Sequence, residues 1–216
     1  MERISRGDGN NVRILKNTTS IMKEQNDTNT PATTPKRLHF KIEKQKESPN
    51  DYWYRARPYI GNMNMLGNRY LGLYPENILN MLKKNKFFKS GRLLFGLCLC
   101  GCEGCDDFCV DIVVNDDTVI WKGWHEFSKA EYISAIREVK EAAAACLAKH
   151  KKGLKAYKKA VYECLTQDMG IPETDARNKM EFYEEWNFIE QYFMKDYSVA
   201  LAAKAIVLGE EEDYEI

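Results

Sequence analysis

The chain has 216 residues, 44% of them hydrophobic and 30% charged, and its 32 basic and 32 acidic side chains balance to a formal net charge of +0. That length can bury a substantial core, while the charge balance excludes bulk attraction to nucleic acid or to an anionic membrane. No apolar run approaches the roughly 20 residues of a membrane span, the first residues lack the apolar stretch of a secretory signal, and an odd, clustered set of 7 cysteines speaks against a disulfide framework and for reduced thiols in the cytoplasm.

Residues 1–36 are rich in Asn, Thr, Lys and Arg and poor in large apolar side chains. Such a segment buries too little surface to offset its ordering entropy, so a disordered tail is expected, with Met22 a second candidate start. From Arg37 to Lys46, Leu38, Phe40 and Ile42 alternate with His39, Lys41 and Glu43, the period of a strand with one solvated face. His39 falls on the polar side. Ser48–Asp51 is a turn. Tyr52–Ile60 reads as a second strand in which aromatic residues alternate with Arg55 and Arg57. The reading favoured is an aromatic face turned to the core, over an aromatic face that stacks on bases or on a peptide. Pro75–Lys84 is a short helix, begun by a proline whose missing N–H would have had no partner there.

The central stretch holds the densest signal. Arg92–Leu99 is an apolar run of strand length, and Phe108, Val110, Ile112 and Val114 mark a second strand. Asn115-Asp116-Asp117 tolerates the backbone of a tight turn, and Thr118–His125 resumes as a strand. A hairpin from Asp107 to His125 is therefore expected. Between the strands lie Cys98, Cys100, Cys102, Cys105 and Cys109. Only Cys102 and Cys105 have the C-x-x-C gap, and no second such pair or well-placed histidine completes a zinc knuckle. Three readings stay open: buried structural thiols, a structural zinc held by Cys98, Cys100, Cys102 and Cys105, and a redox or nucleophilic cysteine.

Tyr70-Leu71-Gly72-Leu73, Leu93-Leu94, Cys98-Leu99-Cys100-Gly101-Cys102-Glu103-Gly104-Cys105 and Val119-Ile120-Trp121 together resemble a family of small uncharacterised bacterial proteins. That family shows a C-x-C-G-x-x-G-C block between two strands, then an acidic turn, V-x-W and an amphipathic helix. The resemblance covers residues 37–145, and Cys102 and Cys109 depart from its pattern. It implies a fold, not a function.

Ser128-Lys129-Ala130-Glu131 is a capping box. From Tyr132 through Ile136, Val139, Ala143, Cys146, His150, Leu154, Tyr157, Val161 and Cys164, one helical stripe extends to Gln167, with Gly153 the expected break. Lysines crowd residues 149–159 on a face that reads as solvated or as phosphate-binding. After Gly170-Ile171-Pro172, Thr174 caps a helix to Lys195 carrying many aromatic residues. Ser198 caps another to Leu208, stopped by Gly209, before an acidic tail.

The expected architecture is α+β: an antiparallel sheet of about five strands, a long amphipathic helix and an appended C-terminal helical subdomain. The expected divisions are a tail at 1–36, a core domain at 37–167, a helical subdomain at 168–209 and an acidic tail at 210–216. No nucleotide loop, H-E-x-x-H or nucleophile elbow is present in the sequence. The leading functional reading is a protein-interaction module whose partner-binding residues are Tyr183, Trp186 and Phe193. The alternative is a zinc-stabilised module that contacts nucleic acid through Lys149–Lys159. A thiol enzyme built on Cys102 and Cys105 is the third, since that pair sits in a glycine turn rather than at a helix N-terminus.

Overall fold

The computed structural model describes residues 36–46, 52–100 and 104–209. The tail expected at 1–36 (Lys36 apart), the turn at 48–51, Cys102 and the acidic tail at 210–216 lie outside the described residues.

The chain is α+β. Strands β1 (Leu38–Lys46), β2 (Tyr52–Ile60) and β3 (Met63–Asn64) form one antiparallel sheet. Strands β4 (Tyr70–Gly72), β5 (Gly91–Cys98), β6 (Phe108–Val114), β7 (Thr118–Trp121) and β8 (His125–Ser128) form a second, five-stranded and antiparallel in sequence order. Helix α1 (Pro75–Lys83) lies between β4 and β5. The long helix α2 (Lys129–Glu163) ends in a π-helical turn at Cys164–Asp168, followed by α3 (Glu173–Glu185), α4 (Phe188–Met194) and α5 (Val199–Leu208).

The two sheets meet where Ala56 and Leu73 exchange backbone hydrogen bonds of 2.7 and 3.1 Å. Gly72 permits this approach, because a Cβ there would collide with the Ala56 carbonyl oxygen. The central hairpin is as expected in kind. Val114 pairs with Val119 across Asn115–Asp117, and Ile112 pairs with Trp121. The expected second strand is two strands: Gly123, at φ +78°, turns the chain after Trp121, and β8 folds back on β7 with Trp121 opposite His125.

Alternation places Leu93, Phe95, Leu97, Val110, Ile112, Val119 and Trp121 on one face, and α2 covers it with Tyr132, Ala135, Ile136 and Val139. Trp121 is 0% exposed, with the Phe95 ring 4.5 Å away centroid to centroid. Burial pushes the Tyr132 phenol far above the ordinary tyrosine range, with the Trp121 indole a smaller, opposing influence. The capping box closes in a variant form: the Ser128 hydroxyl accepts from the Glu131 amide at 3.3 Å and donates to the Glu131 carboxylate at 2.7 Å.

Three sequence expectations are corrected. In β2 the arginines are inside and the aromatics half outside. Arg55 is 0% exposed, lies 3.4 Å over the Tyr74 ring and donates to the Gly72 carbonyl, and Arg57 donates to the Gly67 carbonyl. β4 and the turn before it supply those acceptors, and strand alternation carries no sign of them. Gly153 does not break α2. It is a notch: a Cβ there would lie 2.8 Å from the Phe193 ring. The helix expected from Thr174 to Lys195 is divided, because Asn187 adopts the left-handed backbone at φ +56° between α3 and α4.

A second hydrophobic cluster joins the end of α2 to α3, α4 and α5 through Val161, Leu165, Ala176, Ile189, Tyr192, Ala202, Ala203 and Ile206. Lys44 pairs with Asp196 at 2.7 Å, and Gln191 accepts from the Tyr52 amide at 3.2 Å, so the β1–β2 ribbon contacts the region around α4.

Candidate functional site

The thiol loop is held by the strands on either side of it. Cys98 is the last residue of β5 and pairs with Tyr70 of β4, so its side chain is buried at the sheet end. Cys100, two residues on and in the turn that follows β5, brings its sulfur beside that of Cys98. Gly104, at φ +88°, donates its amide to the Asp107 carboxylate at 2.8 Å, and this turn returns the chain into β6 with Cys105 at its start.

These constraints gather three sulfurs. Those of Cys98, Cys100 and Cys105 all lie within 4.8 Å of one another, with Cys98 buried and the other two exposed. Cys98 and Cys100 are joined as a disulfide, with Cα atoms 5.4 Å apart, where the sequence pointed to reduced thiols. A tetrahedral zinc with bonds of about 2.3 Å requires sulfurs about 3.8 Å apart, a spacing within the 4.8 Å span of this group once the Cys98–Cys100 bond is broken. Cys102, the fourth residue of the expected set, lies in the undescribed part of the same loop. Thiolates are the donors that zinc prefers, and metal binding would need the Cys98–Cys100 bond to be open.

Cys109 is not part of this group. It sits on β6 in a polar cleft of about 500 Å³ with Arg92, Asp107, Asn77 and Asn80. Its side chain lies beside the Arg92 guanidinium and holds that group protonated more firmly still. The sequence reading missed this pairing. Its signal is the β5–β6 register, in which Leu94 faces Cys109 and Arg92 faces Asp111, placing Arg92 and Cys109 on a diagonal.

The three partner-face candidates separate. Trp186 is 73% exposed. Tyr183 is half-buried against the helical cluster, its ring tilted against that of Phe188 with centroids 4.9 Å apart. Phe193 is half-buried between His150 and Tyr157, over the Gly153 notch, so its ring serves packing within the chain. Phe182, which the sequence reading did not single out, is 57% exposed and stands one helical turn before Trp186. His150 lies 2.6 Å from the Glu190 carboxylate, between the Tyr54 and Phe193 rings. Lys158 and Lys159 are engaged by Glu184 and Glu163, both at 3.2 Å, which takes two cations from the expected phosphate-binding set.

No protein-family model matches the chain, and neither a curated protein nor a solved structure is significantly similar to it. No helix among the described residues is long and apolar enough to cross a membrane.

Proposed function

We propose that the chain is a protein-interaction module whose binding face is the outer side of α3. One observation carries this reading: Phe182 and Trp186 stand one turn apart on the same face, 57% and 73% exposed, the two most exposed large aromatics among the described residues, with Trp124 next at 40%. Exposed neighbouring aromatics contribute little to the monomer and are the side chains that most often anchor protein interfaces. Affinity capture with the tagged chain from its native extract tests it. The Trp186→Ser, Phe182→Ser variant should lose proteins that the wild type retains. Recovery of the same set by both would remove this face from consideration.

A second reading concerns support rather than recognition, and the three gathered sulfurs favour it. The thiol loop is a zinc site that fastens the connection between β5 and β6. Protein prepared under reducing conditions should carry about one zinc per chain, and Cys105→Ser should lose it. Zinc far below that level, with thermal unfolding unchanged by chelator, would rule the site out.

A further inference from the structure

A groove runs along the opposite end of the long helix, between α1 and the first half of α2. It encloses about 570 Å³ and is floored by Leu79, Leu82, Phe88 and Ile133. Three cations stand at its edge, Lys83, Arg137 and Lys140, all exposed. Among the described residues none of the three takes part in an ion pair. Between Ile133 and Ala144 the groove follows about 16 Å of helix, the length of three turns. An apolar floor of that length between two helices accepts a third helix that offers apolar side chains at i and i+4, and the cationic edge selects one that is acidic beside them.

The chain carries such a helix. Phe182 on α3 and Trp186 at its C-terminal cap are flanked by the exposed carboxylates Glu181 and Glu185, neither engaged in an ion pair among the described residues. Glu184, on the flank turned inward, is held by Lys158 and marks the side of α3 that is already occupied. The two surfaces match in both respects that matter: bare aromatic against bare aliphatic, and unpaired acid against unpaired base. Each is open among the described residues.

We infer that the α1–α2 groove receives α3 of a second copy of this chain. The inference rests on the proposed binding face and names its partner. Phe182 and Trp186 lie on Leu79, Leu82 and Ile133, while Glu181 and Glu185 meet Lys83, Arg137 and Lys140. If the exchange is reciprocal the product is a closed dimer, and if it is not, the copies add head to tail. Either way association depends on concentration and weakens with salt, because the charges at the groove edge are exposed to screening.

Sedimentation equilibrium of the purified chain alone, from micromolar to near-millimolar concentration, tests this. The mass should rise above that of one copy. Arg137→Glu with Lys140→Glu should weaken association roughly tenfold or more, as like charges are brought together. Glu181→Lys with Glu185→Lys should do the same. A mixture of the two reversed variants should associate with each other and recover most of the loss. Trp186→Ser should weaken association at least about thirtyfold, as for a central aromatic anchor. All of these positions are exposed, so the variants should retain the circular dichroism and melting of the wild type. A monomer throughout, association indifferent to both charge reversals, or a groove filled by a co-purifying amphiphile in native mass spectrometry would each overturn the inference. A monomeric result combined with Trp186-dependent capture of a different protein would overturn the self-association and leave the binding face standing.

Discussion

Trp121 and Trp186 sit in two halves of the molecule built on different rules. The sheet half is packed with large side chains: Trp121, Phe95, Phe127 and Tyr132 are all buried, and the Trp121 ring touches the other three. The helical half has a core in which alanines 176, 202, 203 and 205 do much of the filling. Small residues let helices approach closely but remove little apolar area per residue from water. Its large aromatics are therefore divided, with Tyr192 and Phe193 packed inward and Phe182 and Trp186 left outside. The contrast teaches that aromatic content alone does not distinguish a core from a contact surface. What distinguishes them is whether a facing layer exists to cover the rings.

The sharpest way to break this comparison is at Trp121. Trp121→Ala should destabilise the chain by about 4 kcal/mol in urea unfolding, since it leaves a cavity among rings that cannot collapse into it. A loss below about 1 kcal/mol would mean that the sheet half is not the principal core.

A smaller effect is expected at the Gly153 notch. Gly153→Ala gains about 1 kcal/mol in helix propensity but drives a methyl into the Phe193 ring, an overpacking penalty of about 1–3 kcal/mol. A net loss of about 1 kcal/mol should follow. In a Phe193→Leu background the same substitution should turn neutral or stabilising, and a cycle of the four proteins reads the coupling. Independent effects of the two changes would show that the ring does not occupy the notch.

The helical half also has an alkaline signature. Tyr157 donates to the carbonyls of Tyr197 and Ser198 at 3.0 and 3.3 Å, and burial pushes its pKa up to about 12. In the unfolded chain it titrates near 10. The folded state thus keeps the proton longer, and the stability it confers is complete below about pH 10 and is lost as pH rises through about 12. Tyr157→Phe should flatten that part of the stability profile relative to wild type. Parallel profiles would place the phenol in solvent.

The smallest effect belongs to the other tryptophan. Trp186→Ser should change stability by less than about 0.5 kcal/mol, as expected where a side chain touches little of its own chain. A cost comparable with that of Trp121→Ala would show that Trp186 belongs to the core.

Local pattern determined a great deal of this protein. An apolar run located β5 and period-2 alternation β6 and β7, the Asn-Asp-Asp turn joined the last two, and Ser128 and Ser198 set helix starts by capping chemistry that acts over three residues. The cysteine spacing likewise marked the loop in which Cys98, Cys100 and Cys105 lie within reach of one another, while Cys102 of the expected set falls outside the described residues. Tertiary structure alone decided the rest, because those outcomes depend on what arrives from far along the chain. The inward turn of Arg55 and Arg57 needed the carbonyls of Gly72 and Gly67 and the ring of Tyr74. The continuity of α2 through Gly153 needed Phe193, forty residues later, to fill the gap where a side chain would have been. The exposure of Trp186 in turn reflects the left-handed turn at Asn187, which ends α3 before a longer aromatic stripe could bury itself as one surface. A residue's neighbours in sequence fix its backbone preferences, but its burial is set by partners that only the fold brings near.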